Sequence, residues 1–166
     1  MPPEQPYRIA QICVVVEDLD KALKTYHELL GWGPWHIYDY EPPLVHSRHL
    51  HGKEEAFTMI GAECEVQPGL WFELIQPLEG PSIYKEHLEK HGEGLHHLAI
   101  NMPSVEASEA FQKKYRGMGC EVSMGAKMAD QVDFCYVDAT PLKFVVELVW
   151  DAGQQLMATR QYPPAE

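Results

Sequence analysis

Two rhythms of apolar residues alternate along this chain. Residues 8–16 form a β-branched run and predict a buried strand. The period then changes. Leu19, Ala22, Leu23, Tyr26, Leu29 and Leu30 follow at spacings of three and four, which predicts a helix capped by Asp18 and stopped by Gly31. Strand-like stretches come next at 35–40, 56–62 and 70–76, interrupted by Pro42-Pro43 and the Pro68-Gly69 turn. Residues 82–91 predict a connecting helix that Gly92 and Gly94 end. The order then repeats. A strand runs from 95 to 102, Ser104 offers a cap, and Val105, Ser108, Phe111 and Tyr115 share one helical face. Strands follow near 120–124, 132–137 and 142–150.

The repetition extends to individual positions. An offset of 86 residues lays Gln11 over His97, Asp18 over Ser104, and Gly31-Trp32-Gly33 over Gly117-Met118-Gly119. A fixed-period echo marks repeated structural units. The chain therefore reads as α+β, with two βαβββ modules in tandem. The modules span 7–80 and 95–151, joined by the helix segment 81–94, with Pro-rich tails at 1–6 and 152–166. The first copy carries about a dozen extra residues, placed among 41–55.

Composition narrows the partners. With 45% hydrophobic and 23% charged residues, the chain has the balance of an ordinary soluble globular protein. A formal charge of −12 argues against a nucleic-acid surface, which needs a basic patch. Cys13, Cys64, Cys120 and Cys135 form no CxxC pair, which favours a reduced, cytoplasmic setting over a disulfide scaffold. The first residues lack the pattern of a signal peptide, and no apolar run approaches membrane-spanning length.

Chemistry enters through the last strand of each copy, Trp71-Phe-Glu73-Leu-Ile75 and Val145-Val-Glu147-Leu-Val149. A carboxylate in a packed strand is very costly without a cation, a donor or a proton. Side chains alternate across a strand, so Gln11 shares a face with Cys13 and Val15, and His97 with Ala99 and Asn101. If the copies pack about a pseudo-twofold axis, Gln11, Glu73, His97 and Glu147 converge. One imidazole, one amide oxygen and two carboxylates suit one divalent ion such as Zn, Ni, Co, Mn or Fe.

Four stretches carry a resemblance to the vicinal-oxygen-chelate superfamily, the glyoxalase/bleomycin-resistance/dioxygenase fold. They are Val14-Val-Val-Glu-Asp-Leu-Asp-Lys-Ala22 with Leu30-Gly31, Phe72-Glu-Leu-Ile-Gln-Pro-Leu78, Gly92-Glu-Gly-Leu-His-His-Leu-Ala99, and Val146-Glu-Leu148. The chain is most similar to methylmalonyl-CoA epimerase-like members. The resemblance implies paired modules round a metal cup, in a homodimer, with ligands at Gln11, Glu73, His97 and Glu147. Gln11 departs from the His of most epimerase-like members and is similar to the set of some glyoxalase I enzymes. Some epimerases carry an extra acid/base Glu in the middle strand of the first module; Thr58 stands at that place here, and Glu54, Glu55 and Glu63 are alternatives.

Other polar residues read as structural. Alternation sends His96 to the opposite side of its strand from His97, in a structural or supporting role. His87 and His91 fit a solvated helix face; His46, His49 and His51 fit an exposed strand or loop. Cys13 shares the cup face but reads as a small buried hydrophobe. Trp32, Trp35, Tyr38 and Tyr40 fit either a pocket for an apolar acyl group or core packing.

The chemistry implied is a metal-dependent isomerase or lyase acting beside a carbonyl by enolate or enediolate stabilisation, with Glu147 and Glu73 as proton shuttles. An acyl-CoA is the first substrate class. A thiol adduct, as in lactoylglutathione lyase of glyoxalase I type, is the second. Binding of a small molecule without chemistry is the alternative of another class.

Overall fold

The strands of the computed structural model form one 11-stranded mixed sheet that curls without closing, in the order β11-β2-β5-β6-β1-β7-β10-β9-β8-β3-β4. The structure describes residues 7–153 and 156–165; the expected tail at 1–6 lies outside them. The first half supplies β1 (Ile9–Val15), α1 (Leu19–Leu30), β2 (Trp35–Tyr40), β3 (Val45–Leu50), β4 (Lys53–Glu54), β5 (Met59–Gln67) and β6 (Leu70–Pro77). After α2 (Ile83–His91), the second half supplies β7 (Gly94–Asn101), α3 (Val105–Arg116), β8 (Glu121–Met128), β9 (Val132–Ala139) and β10 (Phe144–Asp151), with β11 (Arg160–Tyr162) last.

The repeat is visible in the pairing. β2-β5-β6-β1 and β8-β9-β10-β7 are the same arrangement of four strands, and β1 and β7 meet antiparallel at the centre. Each centre strand also pairs in parallel with the last strand of its own half: β1 with β6, and β7 with β10. These two ladders bring Glu73 beside Cys13, and His97 beside Val145, in the middle of the sheet.

Helix ends follow the sequence signals. Asp18, Ser82 and Ser104 each accept a hydrogen bond from the backbone N–H three residues on, satisfying a donor that the first turn leaves free. Gly31 ends α1 at φ 68°, a left-handed conformation that glycine adopts without steric cost. The apolar stripe of α1 buries Leu19 and Leu23 against Val14, Trp35 and Leu74 on one face of the sheet. Phe111 of α3 does the same against Val137, Val146 and Leu148. Full burial of such a side chain contributes about 1.5–3 kcal/mol. The other face is the cup. Cys13, Tyr38, Tyr40, Tyr136 and the α2 residues Ile83 and Tyr84 form its core.

The extra residues of the first half do not stay with that half. β3 leaves it and pairs with β8 on the far edge of the second half, with β4 outside it. The approach is close: a Cβ at Gly125 would lie 2.7 Å from the His49 ring. The far end of the chain returns the exchange. The expected tail at 152–166 contains β11, which pairs with β2 and covers the edge of the first half. Unpaired edge groups favour such cover. The expected strand at 56–62 begins instead at Met59 and runs to Gln67. No described helix is long and apolar enough to cross a membrane.

Candidate metal and catalytic centre

Glu73 and Glu147 both lie beside His97, buried where the two halves join. His97 Nε2 lies 3.2 Å from Glu147 Oε2 and 3.4 Å from Glu73 Oε2. All three residues are at most 6% exposed. Despite that closeness, His97 Nε2 and Glu73 Oε2 make no hydrogen bond. Their atoms approach one another without the alignment a hydrogen bond needs. Ligand atoms held about 2.1 Å from a tetrahedral ion stand about 3.4 Å apart, close to the separations seen. The residues therefore fit a divalent cation.

Electrostatics agree. Burial alone would push the His97 imidazole down, but the Glu147 and Glu73 carboxylates outweigh it and raise its pKa to about 9. Two buried carboxylates call for a positive charge, and without a metal ion the imidazolium provides it.

Cys13 belongs to this cluster, since its sulfur and the ligand atoms of Glu73 and His97 lie within 4.8 Å of one another. The position is set by register, with Cys13 opposite both Glu73 and His97. Burial, then the Glu73 charge, push its thiol pKa well up. Cys13 is thus the small buried core residue expected, and it also lies within reach of the polar cluster.

Gln11 lines the same cavity as Glu73 and Glu147. Its amide N–H donates to Glu63 Oε1 at 2.9 Å, which leaves the amide oxygen as the atom available to a cation. Glu63 sits opposite Glu73 in the β5–β6 ladder and also accepts from the Tyr40 hydroxyl at 3.4 Å. Burial and the Glu73 charge raise its pKa to about 8, against the pull of the Gln11 hydrogen bond. A carboxyl near that value exchanges protons close to neutral pH.

This arrangement decides among the carboxylates left open by sequence. Thr58 does not occupy the cup strand: it precedes β5, and its backbone and hydroxyl bond Glu79 across a loop. Glu54 and Glu55 lie beside another surface hollow, against Pro42 and Arg48. Among the three alternatives Glu63 alone lines the cup. The signal was present in the Glu63–Glu73 spacing across the turn at Gly69, but choosing it required the hairpin register.

Strand alternation also fails at His96. Cys13 pairs with His97 and Val14 with Leu95, so β7 carries one extra residue there, a β-bulge. The bulge turns His96 toward the core of the cup instead of away from it. Its ring packs against Tyr84 and Tyr136, and its Nδ1 lies 2.8 Å from Nδ1 of His97. Burial and the neighbouring His97 charge push its pKa down to about 2, so it is neutral.

Above these groups the cup opens into a cavity of about 380 Å³, within the range of small-molecule sites. Its walls are mostly apolar, including Tyr38, Tyr40, Met59, Trp71, Phe134 and Leu156. Tyr38 and Tyr40 stack at 5.8 Å on one wall. The aromatic group therefore splits: those two face the cavity, while Trp32 and Trp35 pack with Tyr26 and Phe72 near α1. His46 pairs with Asp130 and His51 with Glu86, while the His87 ring lies tilted to His91 on α2 and edge-on to His96.

Fold and site together define a paired-module α+β protein with a buried cluster of Cys13, Glu73, His97 and Glu147 beside a cup. The chain matches the family described as the glyoxalase/bleomycin resistance protein/dioxygenase superfamily over residues 10–136, and it belongs to that superfamily. Solved structures share the fold. A hypothetical protein from Bacillus halodurans is 18% identical, with a TM-score of 0.63 over 92% of this chain and 99% of its own. Methylmalonyl-CoA epimerase from Mycobacterium tuberculosis is 19% identical, with a TM-score of 0.62 over 92% of this chain and 93% of its own. A Streptomyces coelicolor methylmalonyl-CoA epimerase variant in complex with 2-nitronate-propionyl-CoA is 21% identical, with a TM-score of 0.58 over 88% and 98%. A search of curated protein sequences found no match.

Proposed function

We propose that this protein is a metal-dependent isomerase that moves a proton at the carbon next to a substrate carbonyl. The observation that carries the reading is the approach of Glu73 and Glu147 to His97 Nε2, with His97 Nε2 and Glu73 Oε2 unpartnered, beside a mostly apolar cavity that both carboxylates line. His97, Glu73, Glu147 and the Gln11 amide oxygen would hold one divalent ion. Bound there, the ion supplies Lewis-acid polarisation of a carbonyl oxygen, which acidifies the adjacent C–H.

The chain's own residues do the rest. Tyr38, Tyr40 and Trp71 exclude water from the reacting carbon and pack its apolar substituents. Glu63, held by Gln11 and Tyr40, takes or returns a proton from one wall. Glu147 faces it from the other half and serves as the opposite acid/base group, with Glu73 beside it. Two carboxyls on two walls suit inversion at carbon, where a proton leaves one face and returns to the other. An acyl-CoA is the proposed substrate, supported by the fold shared with methylmalonyl-CoA epimerases; the working assembly is proposed to be a homodimer.

A second reading has its own observation. The set Gln11, Glu73, His97 and Glu147 has an amide in place of a second imidazole, which favours a thiol adduct handled as in glyoxalase I. One experiment separates the readings. Purified protein is assayed for bound divalent metal, then incubated in D₂O with methylmalonyl-CoA or with the methylglyoxal–glutathione adduct. Deuterium entry at the α-carbon of the CoA ester is expected. Turnover of the adduct alone would favour the second reading. Absence of stoichiometric metal, with no gain on reconstitution, would overturn both in favour of a binding protein without chemistry.

A further inference from the structure

We propose that Leu156 sets the size of the apolar group that the cup accepts, a role that rests on the reading of the cavity as the place where an acyl group is held.

Leu156 differs in origin from the rest of the lining. Apart from Gly153, which carries no side chain, every other described residue round the cavity belongs to a strand of the sheet. A strand residue is placed by register. A slip of one residue breaks its ladder and sends its side chain to the other face. Some of those positions are also tied to the acid of the first half, as Tyr40 is through its hydrogen bond to Glu63. Leu156 lies outside the strands, shortly before β11, so its place is set by where β11 docks.

Several bonds fix that docking. Arg160 sits opposite Ile37 of β2, and Tyr162 opposite Trp35. Just ahead of them, the Thr159 backbone N–H and hydroxyl both donate to the Ile37 carbonyl, at 2.8 and 3.0 Å. The Arg160 guanidinium reaches the Asp20 carboxylate of α1 at 2.8 Å. The Tyr162 ring stands edge-on to His27, with centroids 5.7 Å apart. From this anchor back toward the cup the side chains alternate. Ala158 and Leu156 pack against the apolar core of the cup, while Met157 between them is 91% exposed. The segment is therefore a single layer with one apolar face, and Leu156 is where that face meets the cavity.

An apolar group in the cup gains by filling space up to Leu156 and loses by overlapping it. The gain is about fourfold in affinity for each methylene buried. A side chain outside the ladders can change size without shifting Glu63, Glu73 or Glu147. The choice of ligand is thereby separated from the groups that would act on it.

Calorimetric titration tests this. The probes are straight-chain acyl-CoA esters from propionyl to decanoyl, and the free carboxylates of the same lengths, which lack CoA. Unaltered protein should show a chain length of tightest binding. Leu156→Ala should move that optimum to chains longer by about two to three carbons, with about fourfold gained for each added methylene. Leu156→Trp should move it to shorter chains. Met157→Ala, on the exposed side, should leave it in place. An optimum that stays put in the Leu156 variants would overturn the proposal, and so would an equal shift in Met157→Ala. The two Leu156 variants act in opposite directions, so either one that folds decides. A shift seen with the carboxylates while no CoA ester binds would uphold Leu156 as the selecting residue and count against the acyl-CoA reading alone. Failure of both series to bind unaltered protein would overturn the role of Leu156 itself.

Discussion

The two halves place different chemistry at equivalent points. Where the first has Gln11, the second has His97. Glu73 answers Glu147. The residue opposite each of these is Glu63 in the first half and Tyr136 in the second. One wall is thus amide, carboxylate and carboxyl; the other is imidazole, carboxylate and phenol. In the second half the opposing residue is the Tyr136 phenol, whose pKa burial and the Glu147 charge push well up. In the first half the opposing residue is itself acidic. Glu63 and Glu73 repel, and the proton affinity of Glu63 rises to about 8. Divergence at two positions gives one wall an amide and a second acid where the other has an imidazole and a phenol.

The comparison breaks most sharply at the ligands. His97→Ala should remove stoichiometric metal altogether, because two buried carboxylates would lose their only nitrogen partner, whereas Gln11→Ala should weaken binding by only about tenfold, on the scale of a supporting residue. Metal content by mass spectrometry and competition titration checks this; equal loss in both would mean that the halves share the task evenly.

Glu63→Gln probes the reacting wall. It should lower α-proton exchange by on the order of 10²–10⁴-fold while bound metal stays at the level of the unaltered protein. Exchange followed by NMR in D₂O would refute the assignment if it persisted at full rate.

The same group gives a pH signature. Its folded pKa stands above the ordinary 4.5, so the folded state holds more protons than the unfolded chain between 4.5 and about 8. The stability contributed by the protonated acid is present below that window and lost as pH rises through it. Chemical denaturation of metal-free protein at several pH values should show this fall, and Glu63→Gln should flatten it. Zinc should flatten it too, because a cation beside Glu73 offsets the repulsion. An unchanged slope in the Gln variant would place the titration elsewhere.

The smallest effect sharpens the comparison by making the walls alike. Gln11→His gives the first half the ligand of the second and should tighten zinc binding by up to about tenfold. It also removes the amide N–H from Glu63, so its exchange rate should change with it. A rate that is unmoved would show that Gln11 does not support Glu63.

Much of this was legible along the chain. The change of period at Leu19 and Val105, the caps at Asp18 and Ser104, and the echo of Gln11 in His97 are local patterns, and local patterns survive without tertiary contact. Helix spacing and strand alternation set which side chains share a face, which was enough to gather Glu73, His97 and Glu147. Three features lay beyond that reach. A β-bulge at His96 breaks alternation by one residue, and only the pairing partner Val14 reveals it. The choice of Glu63 over Thr58 depends on where β5 starts and which residue faces Glu73 across the hairpin. The crossing of β3 to β8, and of β11 to β2, satisfies sheet edges far apart in sequence. The sequence by itself therefore determined the repeat, its elements and the polar residues at equivalent strand positions. The tertiary structure decided register, edge pairing and the contacts around His97, because each depends on a strand distant in sequence and leaves no period in the chain that folds it.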